Sequence, residues 1–163
     1  MGIAARRRDS STLPDFPWDT IAGAKATAAA HPDGIVDLSV GTPVDPVDPL
    51  IRRALDDGSR FPGYPTTIGT TELRQAAAAA LTRRYGVAEL GTDQILPVIG
   101  TKEAIAGLTS TLGFGAGDTV VIPEVAYPTY EVSALLAGAT VLRADSTVQI
   151  GPASPALMFI NSP

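Results

Sequence analysis

The chain has 163 residues, 45% of them hydrophobic, with 16 glycines, 14 prolines, a net charge of −5 and no cysteine. That is apolar enough for one substantial core and too apolar for a disordered segment, while the only basic run, Arg6-Arg7-Arg8, leaves no basic face for nucleic acid. Without thiols, disulfides, thiolate catalysis and cysteine-ligated metal centres are excluded together, which fits a reducing compartment.

The start Met1-Gly2-Ile3-Ala4-Ala5-Arg6 fails the myristoylation pattern, and Arg6-Arg7-Arg8 runs into Asp9-Ser10-Ser11 rather than an apolar segment, so no secretion signal is expected. No apolar run approaches the ~20 residues of a membrane span. A cytoplasmic location is the expectation.

In chain order, residues 1–20 read as an extended arm around Pro14, Phe16, Pro17 and Trp18, whose aromatics dock on something else. Ile21 to Ala30 forms an Ala-rich helix ended by His31-Pro32-Asp33-Gly34, and Ile35 to Val40 an apolar strand closed by Gly41-Thr42-Pro43. Pro43, Pro46 and Pro49 make a stiff connector into a helix over Pro49–Asp57, with Leu50, Ile51, Ala54 and Leu55 on one face and Gly58 at its end. Tyr64 to Gly69 is a loop, after which Thr70 or Thr71 caps a helix over Glu72–Tyr85 that stops at Gly86. A strand over 95–99 then breaks at Gly100 into a helix over Thr101–Leu112. Strand Thr119–Ile122, helix Thr129–Ala137, strand Thr140–Arg143, a loop and strand Ala156–Ile160 follow. Alternating short strands and helices predict an α/β fold with parallel strand pairs.

Gly100-Thr101-Lys102 would leave free N–H groups at a positive helix end, a ready anion site. The same residues could form an ordinary strand-to-helix turn, since neither a Walker lysine motif nor a full dinucleotide fingerprint is present. Gly113-Phe114-Gly115-Ala116-Gly117 follows a helix and precedes a strand, the reverse of what a pyrophosphate cradle needs, and reads as a helix C-cap and turn. Tyr127 sits just past a strand's carboxyl end, where open α/β sheets bind ligands, or else is a core aromatic under the next helix. Tyr64 lies in a Gly/Pro/Thr loop with its hydroxyl free to reach a partner, or caps a core. His31 reads as a helix-end cation rather than a base. Gly41 is most simply a turn whose backbone could contact a carboxylate. Arg74 and Arg143 read as surface-paired cations, with a substrate role open.

The segments Phe16-Pro17-Trp18-Asp19, Asp37-Leu38-Ser39-Val40-Gly41-Thr42-Pro43, Gly63-Tyr64-Pro65, Gly100-Thr101-Lys102-Glu103, Pro123 to Tyr130 and Asn161-Ser162-Pro163 resemble, in order, the fold type I pyridoxal-phosphate-dependent aminotransferases of class I/II. Within that family the wording is most similar to actinobacterial N-succinyldiaminopimelate aminotransferases. The resemblance implies a mixed, mostly parallel sheet flanked by helices, with residues 1–45 as N-terminal arm and small-domain segment and 46–163 as the incomplete N-terminal part of the cofactor-binding large domain. It implies that Gly100, Thr101 and Lys102 hold the phosphate of pyridoxal 5′-phosphate, that Tyr127 stacks on its ring, and that Tyr64 reaches the phosphate bound by the other subunit of a homodimer. It places Gly41 near the substrate carboxylate, and amino acids and 2-oxo acids as substrates, with glutamate and 2-oxoglutarate as donor and acceptor in lysine and diaminopimelate synthesis. No catalytic residue is assigned, because Lys25 and Lys102 are the only lysines and neither matches the family's Schiff-base context. The chain is therefore expected to be a fragment of an aminotransferase, inactive alone. Another class I/II aminotransferase, a carbon–sulfur lyase, or a non-catalytic truncated product are the alternatives.

Overall fold

Thr119–Ile122 is a short run of β-branched residues, and it becomes β1 of a three-stranded sheet with β2 (Thr140–Arg143) and β3 (Leu157–Met158). All pairings are parallel in the order β2-β1-β3, with Val120 opposite both Val141 and Leu157. Parallel neighbours need a crossover, and α5 (Pro128–Ala137) supplies it between β1 and β2, while α6 (Thr147–Ile150) lies between β2 and β3. Being central, β1 is buried on both faces: Val120, Val121 and Ile122 are all at most 1% exposed. Val120, Ile122, Ala134, Ala139 and Phe159 form the core, with Ile105, Leu108, Tyr130, Val141 and Leu157 packed against it. This computed structural model describes residues 13–161; Arg6-Arg7-Arg8 and the Ser162-Pro163 end of the last motif lie outside them.

The chain divides into two units, Met1–Ser39 with Ile99–Pro163, and Val40–Val98. In the first, α1 (Ala22–Ala29) follows the arm, and α4 (Thr101–Thr111) packs extensively on α5. Thr109 and Ser133, both fully buried, meet across that contact with hydroxyls 2.8 Å apart. Gly113, at φ +82°, ends α4: its N–H bonds the Ser110 carbonyl and the Phe114 N–H the Thr109 carbonyl, the paired closure of a left-handed helix stop. The glycine-rich run after α4 is thus a C-cap and turn, as its position in the sequence predicts.

In the second unit, Asp48 caps α2 (Pro49–Gly58) by accepting the Leu50 N–H at 2.7 Å. Thr70 caps α3 (Thr71–Tyr85) through the Leu73 N–H, and left-handed Gly86 closes it. A single 3₁₀ turn, Thr92–Gln94, packs on α3, where Arg74 donates to the Thr92 carbonyl at 3.0 Å. Gly69, at φ +73°, has no room for a side chain because a Cβ would overlap the Pro97 ring. Neither helix of this unit holds a buried residue.

Four sequence expectations need correction. Neither Ile35–Val40 nor Ile95–Ile99 is a strand, since no neighbouring segment pairs with it in a ladder among the described residues, and Ser39, Val40 and Ile99 lie in bends. Val36 and Leu38 stay 85% and 87% exposed. The strand expected over 156–160 shrinks to Leu157–Met158, with flanking bonds from Ala156 N–H to Thr119 and from Phe159 N–H to Val121. The loop after β2 contains the single turn α6, capped by Ser146.

Candidate functional site

The N-terminal end of α4 is built by Gly100, an extended N-cap whose carbonyl accepts the first helical bond, from Ala104. The N–H groups of Thr101, Lys102 and Glu103 therefore have no carbonyl of their own helix to bond, and no side chain caps the helix. Thr101 is the first residue of the helix's first turn. Glu103 folds its carboxylate back over Gly100, so closely that a Cβ there would collide with it, and so complements the positive helix end. An anion arriving at this turn has to displace that carboxylate.

Lys102 holds its ammonium over the Phe16 ring, 5.1 Å from the centroid, and Phe16 in turn leans on Trp18 at 5.1 Å. Trp18 donates its indole N–H to the Ser39 carbonyl. The docking target of the arm, left unspecified by the sequence, is thus the first turn of α4. The segment after α1 is anchored by Asp37, which accepts from Lys25 at 2.7 Å and from the Ser39 N–H and hydroxyl. Bonding first to the Lys25 ammonium and then to Ser39 holds the Asp37 carboxyl well below the usual carboxylate range.

Tyr127 is the N-cap of α5, past the carboxyl end of β1 and the short segment that follows it, and stays 39% exposed. Its ring meets Tyr130 edge-on at 5.9 Å, and Tyr130 stacks on Phe159 at 4.7 Å, so the core-aromatic role falls to Tyr130 and Tyr127 keeps an accessible ring. The same end of the sheet carries a cavity of about 290 Å³ lined by residues following all three strands, among them Pro123, Ala144, Asp145, Phe159 and Asn161. β2 and β3 lie on opposite sides of β1, which makes this the side where open parallel sheets take ligands.

In the second unit, Gly41 is the exposed centre of a three-residue turn closed by Thr42 N–H to Val40 carbonyl at 2.8 Å. Tyr64 is fully exposed. Sequence reasoning missed the cluster at the end of β2, where Arg143 bonds Glu131 at 2.7 Å and the Glu124 carbonyl, and Asp145 accepts the Glu124 N–H. A hint was available in a charged pair placed directly after an apolar strand, but its partners are 12 to 21 residues away. His31 stays exposed, its ring nitrogen accepting from the Asp33 N–H. Among the described residues there is no group of acidic or histidine side chains that could hold a metal ion, and no helix is long and apolar enough to cross a membrane.

The class I and II aminotransferase family matches residues 33–150, a stretch that includes β1, β2, the open start of α4 and Tyr127. The chain belongs to that family, whose members depend on pyridoxal phosphate and act on amino and 2-oxo acids. It is 63% identical over 159 residues to the "Probable aminotransferase Rv1178" of Mycobacterium tuberculosis, covering 98% of this chain and 38% of that protein. It is 49% identical to the 4-dedimethylamino-4-oxo-anhydrotetracycline transaminase OxyQ of Streptomyces rimosus, covering 93% of this chain and 42% of that one. Among solved structures, an aminotransferase from Neisseria meningitidis superposes with a TM-score of 0.71 at 34% identity, over 82% of this chain and 35% of that chain. The N-succinyldiaminopimelate aminotransferase of M. tuberculosis superposes with a TM-score of 0.59 at 29% identity, over 74% and 32%. The chain thus spans less than half the length of the relatives it matches.

Proposed function

We propose that this chain is the phosphate-cup and ring-stacking part of a pyridoxal-phosphate-dependent transaminase, with residues 46–163 in its large domain and 1–45 forming the arm and a small-domain segment. The observation that carries this is the open N-terminus of α4 together with the accessible ring of Tyr127 beyond β1. The donor set fits the cofactor: three free main-chain N–H groups at the start of α4, with the hydroxyl-bearing Thr101 in the same turn, suit a phosphate, which would displace the Glu103 carboxylate now lying over Gly100. When bound, pyridoxal phosphate supplies a carbonyl that carries the amino group and a conjugated ring that accepts electrons from the substrate's Cα.

The chain's own residues contribute binding and orientation. Gly100, Thr101 and Lys102 hold the phosphate through main-chain N–H groups and the Thr101 hydroxyl, while the Lys102 ammonium is steadied on Phe16. Tyr127 supports one face of the ring. Gly41 presents backbone to the substrate carboxylate, and Tyr64 reaches the phosphate of a second copy in a homodimer. The exposed apolar face of α2, with Leu50 and Leu55 at 66% and 68% exposure, supports such an assembly. Neither lysine is placed to form the Schiff base: Lys25 is paired with Asp37, and Lys102 sits on the phosphate turn. The chain alone is therefore inactive in transamination.

For the whole protein we propose exchange of an amino group between glutamate or 2-oxoglutarate and the succinylated amino- or oxo-pimelate of lysine synthesis, in the cytoplasm. Support comes from the residue resemblance and the superposition on the N-succinyldiaminopimelate enzyme. A second reading, amination of a polycyclic ketone, draws on the 49% identity to OxyQ. Titrating the chain with 4′-deoxypyridoxine 5′-phosphate tests the cofactor assignment, with Thr101→Val expected to weaken binding roughly tenfold. Assaying the product of the full reading frame against both substrates separates the two: turnover of the tetracycline precursor alone overturns the succinylated substrate.

A further inference from the structure

The segment Pro123–Ala126 between β1 and α5 belongs to neither element, and Val125 within it is 87% exposed. Nothing in helix or ladder fixes its course, yet the position of Tyr127 depends on it. One residue of the segment is gripped on both sides of its backbone. The Glu124 N–H donates to Asp145 Oδ1 at 3.0 Å, and the Glu124 carbonyl accepts from Arg143 Nη1 at 3.3 Å. The grip is itself braced, since Arg143 Nη2 bonds Glu131 Oε2 in the first turn of α5 at 2.7 Å and the Asp145 N–H donates to Gln149 Oε1 at 2.7 Å. Arg143 ends β2, whose register on β1 runs through Ile122, with the Ala144 N–H bonded to the Ile122 carbonyl. The clamp is thus referenced to the rigid centre of the sheet.

We propose that Asp145 and Arg143 are positioning residues that hold the Glu124 peptide groups and thereby set where the Tyr127 ring stands toward the cofactor. This rests on the assignment of Tyr127 to the cofactor ring. A guanidinium spanning a carboxylate and a carbonyl, with a carboxylate on the adjacent N–H, fixes a loop in direction as well as distance. The effect acts on ring stacking and leaves the phosphate turn on α4 alone.

The test uses the 163-residue chain with two probes, inorganic phosphate and 4′-deoxypyridoxine 5′-phosphate, which keeps ring and phosphate but cannot form a carbonyl adduct. Asp145→Ala is expected to weaken the ring-bearing probe about tenfold and leave inorganic phosphate unchanged, while Asp145→Asn, which retains an acceptor oxygen, stays near wild type. In a Tyr127→Leu background, Asp145→Ala has no further effect. Equal weakening of both probes, or a full effect without Tyr127, overturns the proposal. Protected amides of Val120 and Val121 verify that each variant keeps its sheet. If no form of the chain binds the ring-bearing probe, the cofactor assignment fails; the clamp is then judged by NMR, where unchanged Glu124 amide exchange and Tyr127 ring signals in Asp145→Ala overturn it.

Discussion

The Val40–Val98 unit and the sheet-bearing unit with Ile99–Pro163 both carry apolar helix faces and treat them in opposite ways. Ile105 and Leu108 of α4 pack on the core under β1, whereas Leu50, Ile51 and Leu55 of α2 form a face at least 54% exposed. Periodicity states which face of a helix is apolar, but burial needs a surface to close on it, and only the sheet supplies one within the described residues. The lesson for function is that the α4 turn and Tyr127 belong to the unit that packs its own core. The apolar face of α2 is, on the proposal above, for a second copy.

The comparison breaks most sharply on core truncation. Ile122→Ala should destabilise the sheet unit by about 2–5 kcal/mol, and Leu55→Ala should change stability by less than about 1 kcal/mol in dilute protein, as read by urea unfolding. Equal losses would mean that α2 is already buried in solution. Next comes the Thr109–Ser133 pair: Ser133→Ala leaves a buried hydroxyl unpaired and should cost about 1–3 kcal/mol, while Ser133→Ala with Thr109→Val recovers most of it. In the exposed unit, Thr70→Ala removes the α3 cap and should cost about 1 kcal/mol, visible as faster amide exchange in the first turn of α3 and none in α4.

The smallest effect is a pH response at Asp37. Its folded pKa lies below the unfolded value of about 3.9, so its contribution is complete above that value and is lost as pH falls from there through the folded pKa. Carbon NMR should show the Asp37 carboxyl titrating below that range, and Lys25→Ala should move it upward; a titration unchanged by Lys25→Ala would remove the ion pair as the cause.

Helix ends were the most legible feature of the fold. Thr70 as a cap, and Gly86 and Gly113 as stops, are local hydrogen-bond and dihedral preferences that need no distant partner. Strands were legible only where the sheet exists. Ile95–Ile99 is as apolar as Thr119–Ile122, yet Ile99 is fully exposed and Val121 is buried, because a ladder requires a second chain segment at hydrogen-bond distance. In the candidate site, the turn at Gly100-Thr101-Lys102 and the location of Tyr127 past a strand could be read from neighbouring residues. The resting place of Phe16 on Lys102, the Tyr130–Phe159 stack beneath Tyr127 and the grip of Asp145 and Arg143 on Glu124 could not.

Sequence alone determined the helices other than α6, the Thr70 cap and the glycine stops, the parallel α/β class and the family, since these follow from short-range conformational preference and from ordered motifs. Tertiary structure alone decided which apolar runs become strands, which of two neighbouring tyrosines packs on the core, and what anchors the loop between β1 and α5. Each of those depends on contacts between segments far apart in the chain, where the partner's position, rather than the residue's own type, sets the free energy.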